Sequence, residues 1–564
     1  MNLANLGVAA LNVAQNRMQT AGHNISNAYT DGYNRQSVKV STTGAQNTGR
    51  GFIGTGVRSD SIERSYDNFL YRQVVNSQSK QAELASFGTE ITQINNLFAD
   101  RTSGVSPALQ KFFNGIQAVA SSPADPAARK ELLGRASSLV GQLNDTNAYL
   151  EEQRGNINTQ ISTVVRQVNS YVERIHDFNN QIVRAKASGS GAAPNDLLDQ
   201  RDQAVAELNE LVGVRVIEQG DRFGLSFGAG QVLLSGDTVY PLVAKPSDSD
   251  PTRTVVAYTM PAGNNTTVTV DIADKYVSGG KLGGLLSYRS ESLDAVQNDL
   301  GRIAVGLAFA LNKAQVNGFD QNGNPGQPIF SMDQPRALES SRNKGDGSIS
   351  VQFDFDSDPA NTDPSAGANK LTGKDYQVSF DGTNYSVVRM PEEAIVFKGN
   401  EAAFTAGPID GLKFSVGATG TAQAGDTWSV SPTRYSASDI GLALTDPAKF
   451  AAAGTSAGDA DNTNALKMAK LQTAKVLGNG TMSLNEAYSQ VVNNIGVQTQ
   501  ANQTAQTAQA ALVQQTKSAQ QAYSGVNLNE EYVNLVRFQE HFRAASRLID
   551  VSSTLFDTLL SLKQ

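Results

Sequence analysis

Counting apolar positions along the chain shows one pattern above all others. Leu133, Ala136, Val140, Leu143, Asn147, Leu150, Arg154, Ile157, Ile161, Val164, Val168, Tyr171, Ile175, Phe178, Ile182 and Ala185 alternate in steps of three and four, with only Asn147 and Arg154 polar. That spacing predicts one uninterrupted helix, at 1.5 Å per residue a rod of roughly 80 Å, the length of an elongated bundle rather than of an ordinary globular helix. Leu84, Phe87, Ile91, Ile94 and Phe98 form a second stripe, and Leu293, Val296, Leu300, Ile303 and Leu307 a third, each suited to cover one face of the rod. Ser483 to Glu486, "SLNE", reads as a capping box opening a fourth helix with Tyr488, Val491 and Ile495 on its apolar face.

Between the helices the period falls to two, from about 213 to 278 and again from about 343 to 436, which predicts two β insertions. In the second, "DYQVSFDGTNYSVVRM" reads as two strands about an Asp-Gly turn, and Trp428 is the only tryptophan. The ends of this insertion are rich in Ser, Gly, Asp and Pro, so flexible crossings and an outward position are expected. The aspartates between Asp354 and Asp363 lack the glycine spacing of a calcium loop and read as solvated surface.

The two ends are heptad-patterned again. Leu11, Ala14, Met18, Ala21 and Ile25 make a small-residue stripe, widened by Leu3, Leu6, Ala10 and Val13; Leu535, Phe538, Phe542, Ala545, Ile549, Phe556 and Leu559 make a larger one, widened by Leu548, Leu555 and Leu562. A small stripe and a large aromatic one are complementary, so the terminal helices are expected to pair as a coiled coil. Each also has more apolar surface than one neighbour covers, which points to further copies. An ordinary core helix at each end is the alternative. Against it, the polar side of the first helix (Asn2, Asn5, Asn12, Gln15, Asn16, Gln19) is uncharged, and 498–521 is almost wholly Gln, Thr, Ala, Asn and Ser with Lys517 its one charge. Such a segment suits order upon assembly.

Composition narrows the function classes. At 564 residues several structural units are expected, and a formal net charge of -8 with 18% charged residues offers no basic face for nucleic acid. The absence of cysteine excludes disulfides, thiolate metal sites and cysteine nucleophiles. The first twenty residues hold no cation before Arg17 and no sustained apolar run, so a cleavable secretory signal is not expected; "IAVGLAFAL", 303–311, is far short of the ~20 residues a membrane span needs. His23, His176 and His541 are the only histidines, far apart and outside any HExxH pattern, and neither GxSxG nor a phosphate loop occurs. No catalytic residue, cofactor or metal is expected.

"NISNAYTDGY", Asn24 to Tyr33, follows the first helix. Asn27 and Asp31 suit side-chain turns, Gly32 permits a positive φ, and Tyr33 opens an alternating run that leaves as a strand. This segment resembles the signature of bacterial flagellar rod, hook and hook-associated proteins, and Ser524 to Leu560, with Asn527 and Glu530 spaced as a capping box, resembles the matching C-terminal signature. "NDLLDQRDQAVAELNELVGV", "GGKLGGLLSYRSESLDAVQNDLGRIAVGLAFALN" and "NGFDQNGNPGQPIF" are similar to the hook-associated protein 1 family within that group.

The resemblance implies a structural, non-enzymatic protein, secreted through the flagellar type III apparatus and forming the first junction ring between hook and filament. Self-association in the ring, the hook protein, hook-associated protein 3 and an export chaperone on the C-terminal helix are the implied partners, with no nucleic acid or membrane. Expected assembly residues are Leu11, Met18, Ile25, Asn27, Gly32, Tyr33, Leu535, Phe538, Phe542, Ile549, Phe556 and Leu559, and expected chaperone contacts Leu548, Leu555 and Leu562. The fold class is α+β: an elongated multi-domain chain with paired terminal heptad helices, a central long-helix bundle and inserted antiparallel β domains. Its expected parts are 1–60, the first helix and redirecting segment; 61–342, the column with the β insertion near 213–278; 343–436, the outer β domain; 437–504, the return of the column; and 505–564, the C-terminal helix. Another axial protein, of hook-associated protein 3 or hook and rod type, a junction protein with an adhesive β domain, and an enzyme housed in an insertion are the competing readings.

Overall fold

The computed structural model of the protein describes residues 3–47, 49–99, 104–188, 192–261, 267–354, 367–456, 458 and 460–562. Asp354 is buried and pairs with Lys413 at 2.8 Å instead of facing solvent, and the rest of the aspartate run lies outside the described residues, as does Asn2. In chain order the helices are α1 (Leu3–Ser26), α2 (Asn68–Ala99), α3 (Val105–Ser121), α4 (Pro126–Ser188), α5 (Asn195–Leu211), α6 (Gly280–Tyr288), α7 (Asp294–Val316), α8 (Glu401–Ala406), α9 (Ser436–Asp439), α10 (Thr463–Lys470), α11 (Leu484–Ser524) and α12 (Leu528–Ser561).

The long stripe is α4, 63 residues in one helix, about 95 Å at the usual rise. Pro126 starts it where a missing N–H costs nothing, and the Asp125 carboxylate accepts the next free amide, from Ala127. The heptad positions are buried or half-buried against α3, α5, α6 and α7. The two polar breaks are also inside: Asn147 is buried, and Arg154 reaches Asp294 at 2.9 Å and Gln297. At α11 the capping box forms in full, Ser483 Oγ accepting the Glu486 amide and the Glu486 carboxylate accepting from Ser483 N.

The polar stretch 498–521 belongs to this same unbroken helix, so the expected division near 504 falls inside α11. Its partner is α2, reached chiefly through polar side chains, with Val513 the one buried apolar residue of the stretch. Asn502 and Gln506 both donate to the Leu84 carbonyl, at 3.1 and 2.8 Å, and Gln509 donates to the Ser77 carbonyl at 2.9 Å. Gly88 leaves the space that the Gln506 and Asn502 amides occupy.

The first β insertion is a four-stranded antiparallel sheet (Val214–Gln219, Arg222–Phe227, Gln231–Ser235, Thr238–Val239) beside a three-stranded one (Leu242–Pro246, Thr254–Pro261, Thr267–Ile272). The second holds a five-stranded antiparallel sheet in the order Ala337–Glu339, Thr427–Val430, Asp375–Phe380, Tyr385–Met390, Ala394–Gly399, with a further pair, Ile349–Phe353 and Leu412–Val416. Asp375–Phe380 and Tyr385–Met390 are the two strands about the Asp-Gly turn, where Gly382 has φ +100°. Trp428, Val378, Phe404 and Phe414 lie in its core.

The crossings into the second insertion are not loose. Arg434, buried, bonds Asp250 of the first insertion at 3.1 Å and Asp375 of the second. Thr433 packs its carbonyl on Gly301 of α7, where a Cβ has no room. Arg253 bonds Asp294 at 2.6 Å and Asp274 at 2.7 Å, and Arg289 bonds Asp274 at 2.9 Å. Burial opposes ionisation of Asp294, yet Arg253, Arg154 and Arg434 together hold it well below the ordinary carboxylate range. Column and insertions therefore meet in one buried ionic cluster. Composition read the crossing as a linker because each arginine pairs with an aspartate that sequence does not place beside it.

Candidate functional site

The candidate site is the joint where the two chain ends meet each other and the column. α1 stops at Ser26, and the turn that follows holds itself: Asn27 Nδ2 donates to the His23 carbonyl at 3.0 Å, and Thr30 Oγ1 donates to Asn27 Oδ1 at 3.3 Å. Gly32 has φ +77°, a conformation costly for other residues, and a Cβ there would stand 2.8 Å from Gln203 Oε1. The chain then reverses into Gln36–Thr42, which pairs antiparallel with Val57–Arg64 and runs back along α1.

Buried Asn24 is the centre of the joint. Its Oδ1 accepts from Tyr33 OH at 2.7 Å and from Gln36 N at 2.9 Å, while Nδ2 donates to the Gln36 carbonyl at 2.9 Å and to Glu531 Oε2 at 3.1 Å. The other Glu531 oxygen takes Arg35 Nε at 2.8 Å, and Arg35 N donates to the Ser524 carbonyl, so the start of α12 is tied to the segment after α1. Asn527 caps α12 by accepting from Asn529 N and Glu530 N; the Glu530 carboxylate turns instead toward Arg35, at 3.6 Å.

The side facing the column is acidic. Asp196, Asp199 and Asp202 rise along α5: Asp196 accepts from Gln36 Nε2 at 2.8 Å and meets His23 Nε2 at 3.2 Å, Asp199 accepts from both Asn34 nitrogens, and Arg64 NH1 bridges Asp199 and Asp202 at 2.7 and 2.6 Å. Burial pushes Asp199 and Asp202 up, with Arg64 opposing it. Burial, reinforced by Asp196, Asp199 and Glu531, pushes the Tyr33 phenol up as well, so it stays a neutral donor to Asn24.

From this joint α1 and α12 run antiparallel, and their seam is made of small residues. Gly7, Ala14 and Ala21 are buried on α1, one heptad apart; Glu531, Ala545 and Ser552 are buried on α12. A Cβ on Gly7 would stand 2.7 Å from Ile549 Cγ1 and 3.2 Å from the Ala545 carbonyl oxygen. The expected large residues flank the seam. Leu11, Met18, Ile25, Leu535, Phe538, Phe542 and Ile549 are half-buried, with Arg17 stacked 5.5 Å from the Phe538 ring centre. Leu548, Leu555, Phe556, Leu559 and Leu562 are exposed.

In the joint Tyr33 reaches Glu531 of α12 through Asn24, Gly32 lies against Gln203 of α5 and Asn27 bonds back to α1, while the far end of α12 stands uncovered. Asn24, Arg35, Gln36, Arg64, Asp196, Asp199, Asp202 and Glu531 were not singled out by the sequence. The i, i+3, i+6 spacing of the three aspartates on α5 was the available signal. The arrangement binds helices to one another; among the described residues no group of three or more His, Asp or Glu is placed to hold a metal ion, and no helix is long and apolar enough to cross a membrane.

Residues 91–330 match the family model for the flagellar hook-associated protein FlgK helical domain, and 357–432 that for the flagellar hook-associated protein 1 D2-like domain. The chain is 37% identical to flagellar hook-associated protein 1 of Salmonella typhimurium and 34% identical to that of Escherichia coli, over 100% of each chain. Its structure resembles that of the flagellar hook junction protein FlgK from Burkholderia pseudomallei, with TM-score 0.72 and 26% identity, covering 80% of this chain and 100% of that one.

Proposed function

The chain belongs to the family of flagellar hook-associated protein 1, and we infer from that membership that it is a structural subunit of the bacterial flagellum, forming the junction between hook and filament. The observation that supports assembly through the chain ends is the uncovered side of the α1–α12 pair. α1 occupies only the small-residue seam of α12, leaving Val533, Val536, Val551, Leu555, Phe556 and Leu559 exposed on a helix that is otherwise fixed in place. Exposed apolar surface of this extent marks an interaction face.

We assign Leu11, Met18, Ile25, Leu535, Phe538, Phe542, Ile549, Phe556 and Leu559 to contacts between copies, and Asn27, Gly32 and Tyr33 to the turn that sets the angle of the pair. The neighbours in the axis are the hook protein and hook-associated protein 3. Before export through the type III apparatus, a chaperone covers Leu548, Leu555 and Leu562.

Burying an apolar side chain is worth about 1.5–3 kcal/mol, and placing a carboxylate there adds a desolvation cost. Ile549→Asp or Phe556→Asp protein, purified and added to hook fragments, is therefore expected to leave the hook end bare in electron micrographs while α2, α4 and α11 keep their amide-exchange protection. A variant that still forms the junction overturns the assigned contacts.

A further inference from the structure

Two apolar surfaces lie toward one end of the terminal helix pair. The first is a hairpin tip. Its base lies on α1, with Gly56 3.7 Å from the Ala9 Cβ if it bore a Cβ of its own, and the strands Ala45–Asn47 and Phe52–Gly54 continue beyond that point. At the tip Phe52 is 75% and Ile53 62% exposed. The second is the end of α12. Ile549 packs on Gly7, so in an antiparallel pair one more turn of α12 draws level with Leu3, and the helix from Leu555 onward lies past it. There Phe556 is 58% and Leu559 66% exposed.

The charges of the two surfaces are opposite. Among the described residues of the tip, from Asn47 to Gly54, Arg50 is the only charged one; from Ile549 to Leu562 the only charged ones are Asp550 and Asp557. All three side chains are exposed, and among the described residues none of the three is in an ion pair.

We propose that the hairpin tip of one copy seats Phe52 and Ile53 on the α12 end of the next copy, against Phe556 and Leu559, with Arg50 facing Asp557. The two patches differ, so the contact is heterologous, the kind that repeats around a ring or along a helix rather than closing as a pair. The proposal rests on the junction reading and names the contact through which one subunit meets the next. It also gives the 45–54 hairpin a reason to carry an aromatic side chain into solvent.

The chain has no cysteine, so engineered thiols report one contact alone. In flagella assembled from chain carrying both Ile53→Cys and Leu559→Cys, oxidation is expected to yield a ladder of covalent dimers and higher species. Chain carrying either substitution alone gives monomer. A doubly substituted chain that enters flagella but stays monomeric, closes on itself, or links to a different axial protein overturns the proposal. Absence of the unaltered chain from purified flagella would instead overturn the junction reading.

Charge reversal provides the second arm, for use should the thiol variant fail to assemble. Arg50→Asp and Asp557→Arg are each expected to lower the number of retained filaments about fivefold, the effect of losing one exposed ion pair. The two together should restore it. If the double reversal is no better than either single one, tip and helix end do not meet.

Discussion

Gly7 shows how little room the seam allows. With a Cβ at 2.7 Å from Ile549 Cγ1, any larger side chain drives α1 and α12 apart. Overpacking of this kind typically costs about 1–3 kcal/mol. Gly7→Val is therefore expected to lower the protection of the α1 amides from Val13 to Ala21 by roughly one to two powers of ten in hydrogen exchange, leaving α4 unchanged. A second residue carries a pH dependence. Lys475, and then the Ser483 amide, lower Glu486 from 4.5 to about 2. A depressed carboxyl contributes stability that is complete above its unfolded value and disappears as pH falls through the folded one. Amide exchange at the first turn of α11 should thus accelerate between pH 4.5 and 2, and Glu486→Gln should abolish that change. The sequence made Glu486 legible because a capping box is local. It hid Gly7 because a single glycine in a helical pattern carries no sign of the helix it will meet, and it hid Asn24 because all of its partners come from other elements.

Helices were read well wherever an apolar face defined them. The period in 133–185 runs through both polar breaks, since Arg154 is buried by pairing with Asp294 and needs no exit to solvent. α11 was read less well beyond Ile495, because there its contact with α2 rests on amides that donate to helix carbonyls, and a period count weighs only apolar residues. That difference separates two seams in the same molecule. Asn502, Gln506 and Gln509 are uncharged, whereas the joint at Asn24 depends on Arg35, Arg64, Glu531 and Asp199. Screening at 1 M salt shortens the Debye length to about 3 Å and weakens charged pairs that water can reach. Raising salt should therefore loosen the water-accessible Arg35–Glu530 pair and speed exchange at the start of α12, while the buried Arg64 pairs, α2 and α11 stay protected. Equal acceleration at α12 and α11 would contradict this division.

At the scale of the whole molecule, the legible part was the plan: paired ends, a helical column and two β insertions between its helices. The connection of those parts was not legible. Ser- and Pro-rich crossings suggested hinges, yet Arg434 ties Asp250 of the first insertion to Asp375 of the second, and Asn298 of α7 in the column donates to Asp375 at 3.2 Å. A clamped insertion moves with the column, and the freedom to form new contacts is left to the uncovered side of α12. The central claim is that copies meet there. A map of the isolated hook–filament junction built from this chain, resolved well enough to place side chains, tests it most directly. The account predicts that the α1–α12 pair and the Asn24 joint are retained and that Phe556 and Leu559 are buried against neighbouring copies. A junction held by the β insertions alone, with Phe556 and Leu559 still facing solvent, would contradict it.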